Sequence, residues 1–164
     1  RDRWPVLGQR NLCTGQAQRL GGLITNLGTP DAPGTGALRR YLREFLSDPR
    51  VVEVPRLIWF FILHLVILVI RPPRSAHAYK SVWTEAGSPL MVHTEAQCAG
   101  IRERLQNKFG DDIDVRFAMR YGNPSIASQL QAMEEAGVRK LVVLPLYPQY
   151  SASTNASTLS LIHL

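Results

Sequence analysis

Three short apolar runs, at residues 22–27, 113–119 and 140–144, have the length and composition of buried β-strands. The second and third runs enclose a stretch with helical signals: Asn123 as the cap, Pro124 at the first helical position and Gly137 at the end. Strand, helix and strand in this order form a βαβ unit, which requires a parallel sheet. The pattern therefore predicts an α/β fold with helices flanking a parallel sheet.

Apolar residues three and four positions apart predict further helices. One begins at Thr35 or Gly36 and stops at Ser47-Asp48-Pro49. Its apolar positions face the core, and its arginines face solvent: Leu38, Tyr41, Leu42, Phe45 and Leu46 on one side, Arg39, Arg40 and Arg43 on the other. A short helix capped by Ser75 and a longer helix capped by Thr94 are expected to follow.

Residues 57–70 are apolar on every side except at His64, and arginines flank them at positions 56, 71 and 74. These 14 residues are fewer than the roughly 20 that a helix needs to span a bilayer, so no membrane crossing is predicted. A helix that is apolar all round must still be covered by something. The sequence leaves two alternatives for what covers this segment. One is a neighbouring domain, and the other is a membrane surface whose head groups contact the flanking arginines.

The composition narrows the class of protein. A chain of 164 residues that is 45% hydrophobic and 20% charged suits a globular domain with its own core. The net charge of +6 is spread along the chain, with adjacent basic residues only at Arg39-Arg40 and Arg139-Lys140. Because nucleic-acid binding uses clustered basic residues, no nucleic-acid partner is expected. An anionic small molecule or a membrane surface accounts for the charge as well.

The two cysteines, Cys13 and Cys98, have no metal-site spacing and predict neither a disulfide framework nor a zinc site. A reducing compartment, the cytoplasm, is the expected location. Residues 1–21 are rich in arginine and lack the apolar core of a secretory signal, so they are interpreted as a loose N-terminal arm.

The tract PLYPQYSAST at residues 145–154 follows directly on the third predicted strand. It supplies two aromatic rings and several hydroxyl groups at the carboxyl edge of the sheet, where open α/β folds bind ligands. The predicted wall of a binding site therefore consists of Tyr147, Tyr150, Ser151 and Ser153.

Five ordered motifs carry a family resemblance. They are LITNLGTP at residues 23–30, FLSDPRVVEV at 45–54, WTEAGSPL at 83–90, MRYGNPSI at 119–126 and LPLYPQYSAST at 144–154. In order and spacing they resemble the motifs of bacterial ferrochelatases. Leu27 stands where coproporphyrin-type members carry a tyrosine, so the chain looks more like the protoporphyrin type.

The resemblance implies a Rossmann-like domain, the first of the family's two similar domains, at residues 22–164, with a cleft lip at about 55–90. It also implies a function: insertion of Fe²⁺, a substrate, into protoporphyrin IX to form protoheme, the last step of heme biosynthesis. The metal-facing histidine and glutamate belong to the family's second domain, which this sequence lacks. We therefore expect a truncated lyase that is inactive alone, with no catalytic residue, metal ligand or bound cofactor of its own. A cysteine-ligated iron–sulfur cluster, which some members hold near the far terminus, is left open.

The resemblance also implies which residues bind the porphyrin: Arg120, Tyr121, Tyr79, Ser88, Tyr150, Ser151, Ser153 and Leu27. Arginine suits a propionate carboxylate because its guanidinium offers paired donors. The alternative from the residues alone is that Arg120 pairs with a nearby acid and Tyr121 caps the core. None of His64, His77, His93 or His163 lies in a motif that matches the metal-facing histidine, so all four are interpreted as structural or surface residues.

Two alternatives to the enzyme are kept open: a porphyrin-binding half-domain without catalysis, and an unrelated nucleotide-handling α/β domain. The second is weak, because Gly28-Thr29-Pro30 is not part of a GxGxxG or Walker pattern. Peripheral contact with the inner membrane through residues 57–70 is a further expectation.

Overall fold

The computed structural model of the chain describes residues 19–162. Cys13, His163 and the first eighteen residues of the predicted arm lie outside this range. Residues 19–21 do not belong to an arm. They begin the first strand, where Leu20 pairs with Ile113 and Gly21 pairs with Leu141.

A three-stranded parallel sheet lies at the centre of the fold, in the spatial order β2, β1, β3. Its strands are β1 (Arg19–Gly28), β2 (Ile113–Tyr121) and β3 (Val138–Pro145). The predicted α/β class is confirmed. Each strand is longer than its apolar run, because strands pair through backbone groups and do not need an apolar side chain at every position.

Helices cover both faces of the sheet. They are α1 (Thr35–Ser47), α2 (Arg56–Phe61), α3 (Leu68–Val82), α4 (Pro89–Phe109), α5 (Ile126–Glu135) and α6 (Ser157–Ile162), with π-helical segments at Ile62–Ile67 and Ala152–Ala156. Side chains alternate across β1, so Ile24 packs toward Cys98 of α4 whereas Leu23 packs toward Met133 of α5. A third cluster joins α1 to α3 and to Tyr121 at the end of β2.

Two predicted helix starts are wrong. The longer helix begins after Ser88, whose side chain makes no capping hydrogen bond, with Pro89 in the first turn. Thr94 lies inside the helix, where its hydroxyl donates to the Leu90 carbonyl at 2.7 Å. Ser125 caps α5, because its Oγ, and not the side chain of Asn123, accepts the Ser128 N–H. In both cases the residue before the first helical turn is a serine, and the sequence analysis chose another polar residue nearby.

Residues 56–82 form one continuous helix, which we call the lip helix. Ser75 lies in its interior, so the short helix predicted to begin there is wrong. Leu68, Pro72 and Ala76 are buried at four-residue spacing, and this packing carries the helix through its prolines. By length and hydropathy alone the lip helix is sufficient to cross a membrane, which for a single helix is weak evidence. The expectation that it does not cross stays a prediction.

The ends of β1 and β2 are in close contact at Gly28. This residue has a φ of 119°, and a Cβ atom at its position would collide with the carbonyl oxygen of Tyr121. Its own carbonyl oxygen accepts the Tyr41 hydroxyl at 3.2 Å. Glycine is therefore required here both for backbone conformation and for space.

We expect Gly28→Ala to lower the free energy of unfolding by about 1–3 kcal/mol, since it forces a strained conformation and separates the two strand ends. Gly36→Ala is the matched control: it lies in α1 with open space around its Cβ position, and should raise stability by about 0.4–1 kcal/mol. Urea denaturation measures both. Equal effects of the two substitutions would contradict the close approach at Gly28.

Candidate functional site

The carboxyl ends of the three strands, at Gly28, Tyr121 and Pro145, lie along one edge of the sheet. The connection from β1 to β2 passes through α1 and the lip helix and ends with α4, which packs on one face of the sheet. The chain after β3 leads to α6, which packs on the opposite face. Connections that diverge in this way open a crevice between the strand ends, where open α/β sheets bind ligands. The candidate site is this crevice with the segments around it.

Asp48 is the centre of a buried polar network at this edge. Its Oδ2 accepts hydrogen bonds from Arg120 Nη2 at 2.6 Å, from the Ser157 hydroxyl at 2.8 Å and from the Tyr121 hydroxyl at 2.9 Å. Its Oδ1 accepts the Arg50 N–H at 2.9 Å. Arg120 Nε also donates to Ser157 Oγ at 2.6 Å. The network ties the segment after α1 to the end of β2 and to the start of α6.

The network keeps Asp48 ionised. Burial is the largest influence on this carboxyl group and opposes its charge. The hydrogen bonds from Arg50, Ser157 and Tyr121, together with the Arg120 guanidinium, outweigh burial and hold the pKa of Asp48 below its ordinary value. Burial raises the pKa of the Tyr121 phenol, so its hydroxyl remains a donor.

Arg120 and Tyr121 therefore have the alternative arrangement, in which Arg120 pairs with an acid and Tyr121 packs in the core. Tyr121 is 1% exposed, so its ring cannot form the surface of a cleft in this structure. The Arg120 side chain is 11% exposed and paired with Asp48, and its guanidinium lies 4.5 Å from the Tyr121 ring centre. In this structure both residues support the edge from behind, and their predicted contact with porphyrin stays a prediction.

Ser88 is also turned inward. It is buried, and its Oγ accepts the Thr29 hydroxyl at 2.8 Å. This bond joins the turn before α4 to the loop after β1. The predicted contact of Ser88 with a ligand stays a prediction, and in this structure its hydroxyl serves an internal hydrogen bond.

The tract after β3 supplies exposed groups, as the sequence predicts. Tyr150 is 74% exposed. Ser151 Oγ lies 2.6 Å from Thr154 Oγ1 and 3.2 Å from Ser153 Oγ, at the start of the second π-helical segment. Tyr147 is half-buried beside Thr158, and burial raises its pKa. An exposed aromatic ring and a hydroxyl cluster thus follow the carboxyl end of β3.

Tyr79 and Leu27 belong to the lip helix and to the carboxyl end of β1, respectively. Tyr79 is half-buried on the lip helix, its ring centre 6.4 Å from that of Trp83, and burial raises the pKa of its hydroxyl. Leu27 is partly buried against the cluster of α1, the lip helix and Tyr121. The structure leaves both near the crevice without assigning them a ligand.

A cleft with a cavity volume of about 210 Å³ lies between the segment after α1 and the first turns of the lip helix. This volume is below the roughly 300–1,000 Å³ of small-molecule sites, so the cleft forms only part of a ligand site. Its lining includes Asp48, Val52, Trp59, Leu63 and His64. Sequence reasoning missed this cleft: it interpreted Asp48 only as part of a helix stop, and no local signal links residue 48 to residues 120 and 157.

The histidines within residues 19–162 are not grouped. His64 Nδ1 lies 3.0 Å from the Phe60 carbonyl oxygen of its own helix. His93 and His77 are exposed. Among the described residues no three histidine, cysteine, aspartate or glutamate side chains are placed together as metal ligands.

Comparison with known proteins identifies relatives of the chain. A model of the ferrochelatase family matches residues 19–163. The chain is 76% identical over 151 residues to a ferrochelatase of Alcanivorax borkumensis, covering 92% of this chain and 44% of the relative. It is 66% identical over 143 residues to one of Pseudoalteromonas atlantica, covering 87% and 40%. For one of Marinobacter nauticus the identity is 62% over 158 residues, covering 96% and 43%. The chain thus spans less than half the length of these relatives.

Asp48→Asn should lower the free energy of unfolding by about 3 kcal/mol near neutral pH, because it leaves Arg120 buried beside a neutral amide. The pH dependence has a defined sign. A carboxyl group with a lowered pKa in the folded protein stabilises it above the ordinary aspartate pKa, and this stabilisation is lost as the pH falls through the folded value. The stability difference between wild type and Asp48→Asn should therefore shrink on acidification.

Denaturant titrations at several acidic and neutral pH values measure this effect. Asp114→Asn is the matched control, since Asp114 pairs with Arg116 at 3.0 Å in a more exposed place and should contribute about 0–1 kcal/mol. A pH-independent difference for Asp48→Asn, or equal effects of the two substitutions, would contradict a charged buried network.

Proposed function

Because the chain belongs to the ferrochelatase family, we propose that it is the amino-terminal half of a protoporphyrin-type ferrochelatase, a lyase of heme biosynthesis. The whole enzyme inserts Fe²⁺, as substrate, into protoporphyrin IX to form protoheme. In this proposal the chain supplies one wall of the porphyrin cleft and its lip. The relatives that it matches are more than twice its length, so the activity belongs to the longer protein.

The crevice and the apolar surface beside it support this function. Protoporphyrin is a flat apolar macrocycle with two carboxylates at one edge, so its site needs aromatic or aliphatic walls and a few donors or cations. The cleft under the lip helix has mostly apolar walls, and the tract after β3 offers an exposed ring at Tyr150 and a hydroxyl at Ser151. Arg71 and Arg74 place exposed cations on the lip helix.

The predicted binding residues take two roles in this proposal. Tyr79, Tyr150, Ser151, Ser153 and Leu27 contact the porphyrin. Arg120, Tyr121 and Ser88 hold the wall from behind, because their polar groups are hydrogen-bonded inside the protein. The apolar Leu27 supports protoporphyrin over coproporphyrin.

Metal insertion needs a base for the two pyrrole protons and groups that replace the water around Fe²⁺. We assign these tasks, and any iron–sulfur cluster, to the remainder of the full-length protein, and no cofactor to this chain. The exposed apolar surface around β3 supports a missing partner segment: Val142 is 59% and Phe109 56% exposed. Single-domain proteins rarely leave such patches uncovered.

The lip helix supports peripheral contact with the inner membrane from the cytoplasm. The exposed large apolar residues in the part of the helix before Arg71 are Leu57, Ile58, Phe60, Phe61, Ile62, Leu65, Val66, Val69 and Ile70. Arg56 precedes this surface and Arg71 follows it, an arrangement that suits anionic head groups on either side of a buried apolar face. No nucleic-acid partner is proposed.

We expect the purified 164-residue chain to have no chelatase activity, because the groups that act on the metal are assigned to the missing half. Insertion of Zn²⁺ into protoporphyrin, followed by zinc-porphyrin fluorescence, measures this. The full-length protein that carries this chain is the positive control. Activity of the isolated chain within about tenfold of that control would contradict the assignment.

The same assay separates the two functions that fit the family. A full-length protein that quenches its fluorescence on binding protoporphyrin, yet forms no zinc porphyrin and no heme with Fe²⁺, would be the non-catalytic binding protein. A full-length protein that inserts metal is the proposed enzyme.

Vesicles with anionic lipids should retain the chain through the lip helix. Replacing both Phe60 and Leu65, which are 53% and 68% exposed, with Glu should weaken retention by at least about tenfold, because each side chain contributes on the order of 1.5–3 kcal/mol when it is buried in the membrane interface. Lys80→Glu, which adds a negative charge to the exposed far end of the helix, is the control. Unchanged sedimentation of the double variant would show that another surface holds the vesicles.

A further inference from the structure

The lip helix contains a backbone oxygen that has no donor in either the α-helical or the π-helical hydrogen-bond pattern. A carbonyl group in an α-helix accepts from the N–H four residues later, and in a π-helical turn from the N–H five residues later. For Leu68 these positions are Pro72 and Pro73, and neither has an N–H. Leu68 is the single residue of the helix for which both registers lack a donor.

A side chain of another helix supplies the missing donor. Arg39 Nε, on α1, donates to the Leu68 carbonyl oxygen at 3.0 Å. The proline ring at position i+4 also pushes the carbonyl outward from the helix axis, which opens Leu68 to a donor from outside. Arg39 otherwise belongs to the exposed face of α1, so core packing does not explain its direction.

The bond lies where the lip helix changes from π-helical to α-helical hydrogen bonding. It joins α1, which carries the core contacts of Tyr41 and Leu42, to the junction between the π-helical segment and α3. Leu68 itself is buried in the same cluster. Proline kinks and π-turns are the places where helices bend, so a directional hydrogen bond at this junction can set the bend angle in addition to the packing of Leu68, Pro72 and Ala76.

We propose that Arg39 is a positioning residue that sets the angle of the lip helix by bonding the carbonyl oxygen of Leu68 left unpaired by Pro72 and Pro73. Through this bond α1 fixes the width of the cleft under the lip. We call the hydrogen bond from Arg39 to the Leu68 carbonyl oxygen the tether. Its existence does not depend on the proposed function. Its functional consequence, a porphyrin cleft of fixed width, rests on the proposed function.

The proposal makes the effect of Arg39 depend on Pro72. Arg39→Met keeps the length of the side chain and removes the donor, whereas Pro72→Ala restores an N–H that can bond Leu68. In the wild-type background, Arg39→Met should speed amide hydrogen exchange in residues 74–82 by roughly three- to tenfold, from the usual contribution of one hydrogen bond. In the Pro72→Ala background the same substitution should change exchange by less than about twofold.

Mass-spectrometric exchange on the 164-residue chain without porphyrin measures all four proteins. Arg43→Met, on the same exposed face of α1, should leave the lip unchanged, and unaltered protection of β1 shows that the fold is kept. Equal acceleration by Arg39→Met in both backgrounds, or none in either, overturns the tether.

The consequence for the reaction is measured in the full-length protein. Arg39→Met should raise the KM for protoporphyrin roughly three- to tenfold with kcat retained, and Pro72→Ala should restore the KM. An unchanged KM with altered lip exchange would overturn the role in positioning. Absence of metal insertion by the unmodified full-length protein would refute the proposed function, while the exchange measurements would still decide the tether.

Discussion

A single buried carboxylate holds the carboxyl edge of the sheet together. Asp48 accepts four hydrogen bonds, one from the N–H of nearby Arg50 and three from two segments that are distant in the sequence, the end of β2 and the start of α6. Removing this carboxylate from water is unfavourable, and only a full set of donors makes it stable as a charged group. Both walls of the crevice depend on it: the segment that leads to the lip helix begins beside Asp48, and the tract after β3 ends at Ser157, which bonds the same oxygen.

This dependence separates the residues that support the site from those able to face a ligand. The Tyr121 hydroxyl can turn to a ligand only by giving up its hydrogen bond to the buried Asp48 carboxylate, which is costly. Arg120 uses two N–H groups for Ser157 and Asp48, and its guanidinium has further N–H groups that can bond another partner while this ion pair is kept. Tyr150 is exposed, and the hydroxyls of Ser151 and Ser153 are bonded only to neighbours in their own tract. These groups can exchange partners at low cost.

The strands and α1 could be predicted from sequence because their signals are local: apolar runs, three- and four-residue spacing, and a proline after Asp48. The helix starts at Ser88 and Ser125 were missed because several polar residues nearby were equally able to cap. The sequence could not identify Asp48 and Ser157 as the partners of Arg120, since they are 72 and 37 residues away. The motif that contains Arg120 does not show which way its side chain points. The continuity of the lip helix was missed for a similar reason: Pro72 and Pro73 predict a break, and Arg39 on another helix compensates.

The two exposed apolar surfaces of the chain have different chemical requirements. The lip helix bonds its backbone internally, with Arg39 supplying the donor that the prolines remove, so its exposed side chains can rest in lipid. β3 pairs only with β1 within residues 19–162, and its outer edge presents unpaired N–H and C=O groups beside Val142 and Leu144. Lipid cannot bond such groups, whereas a protein segment can bond them and cover the side chains at once. The surface at β3 therefore suits the proposed contact with a protein segment, and the exposed face of the lip helix suits the proposed contact with a membrane.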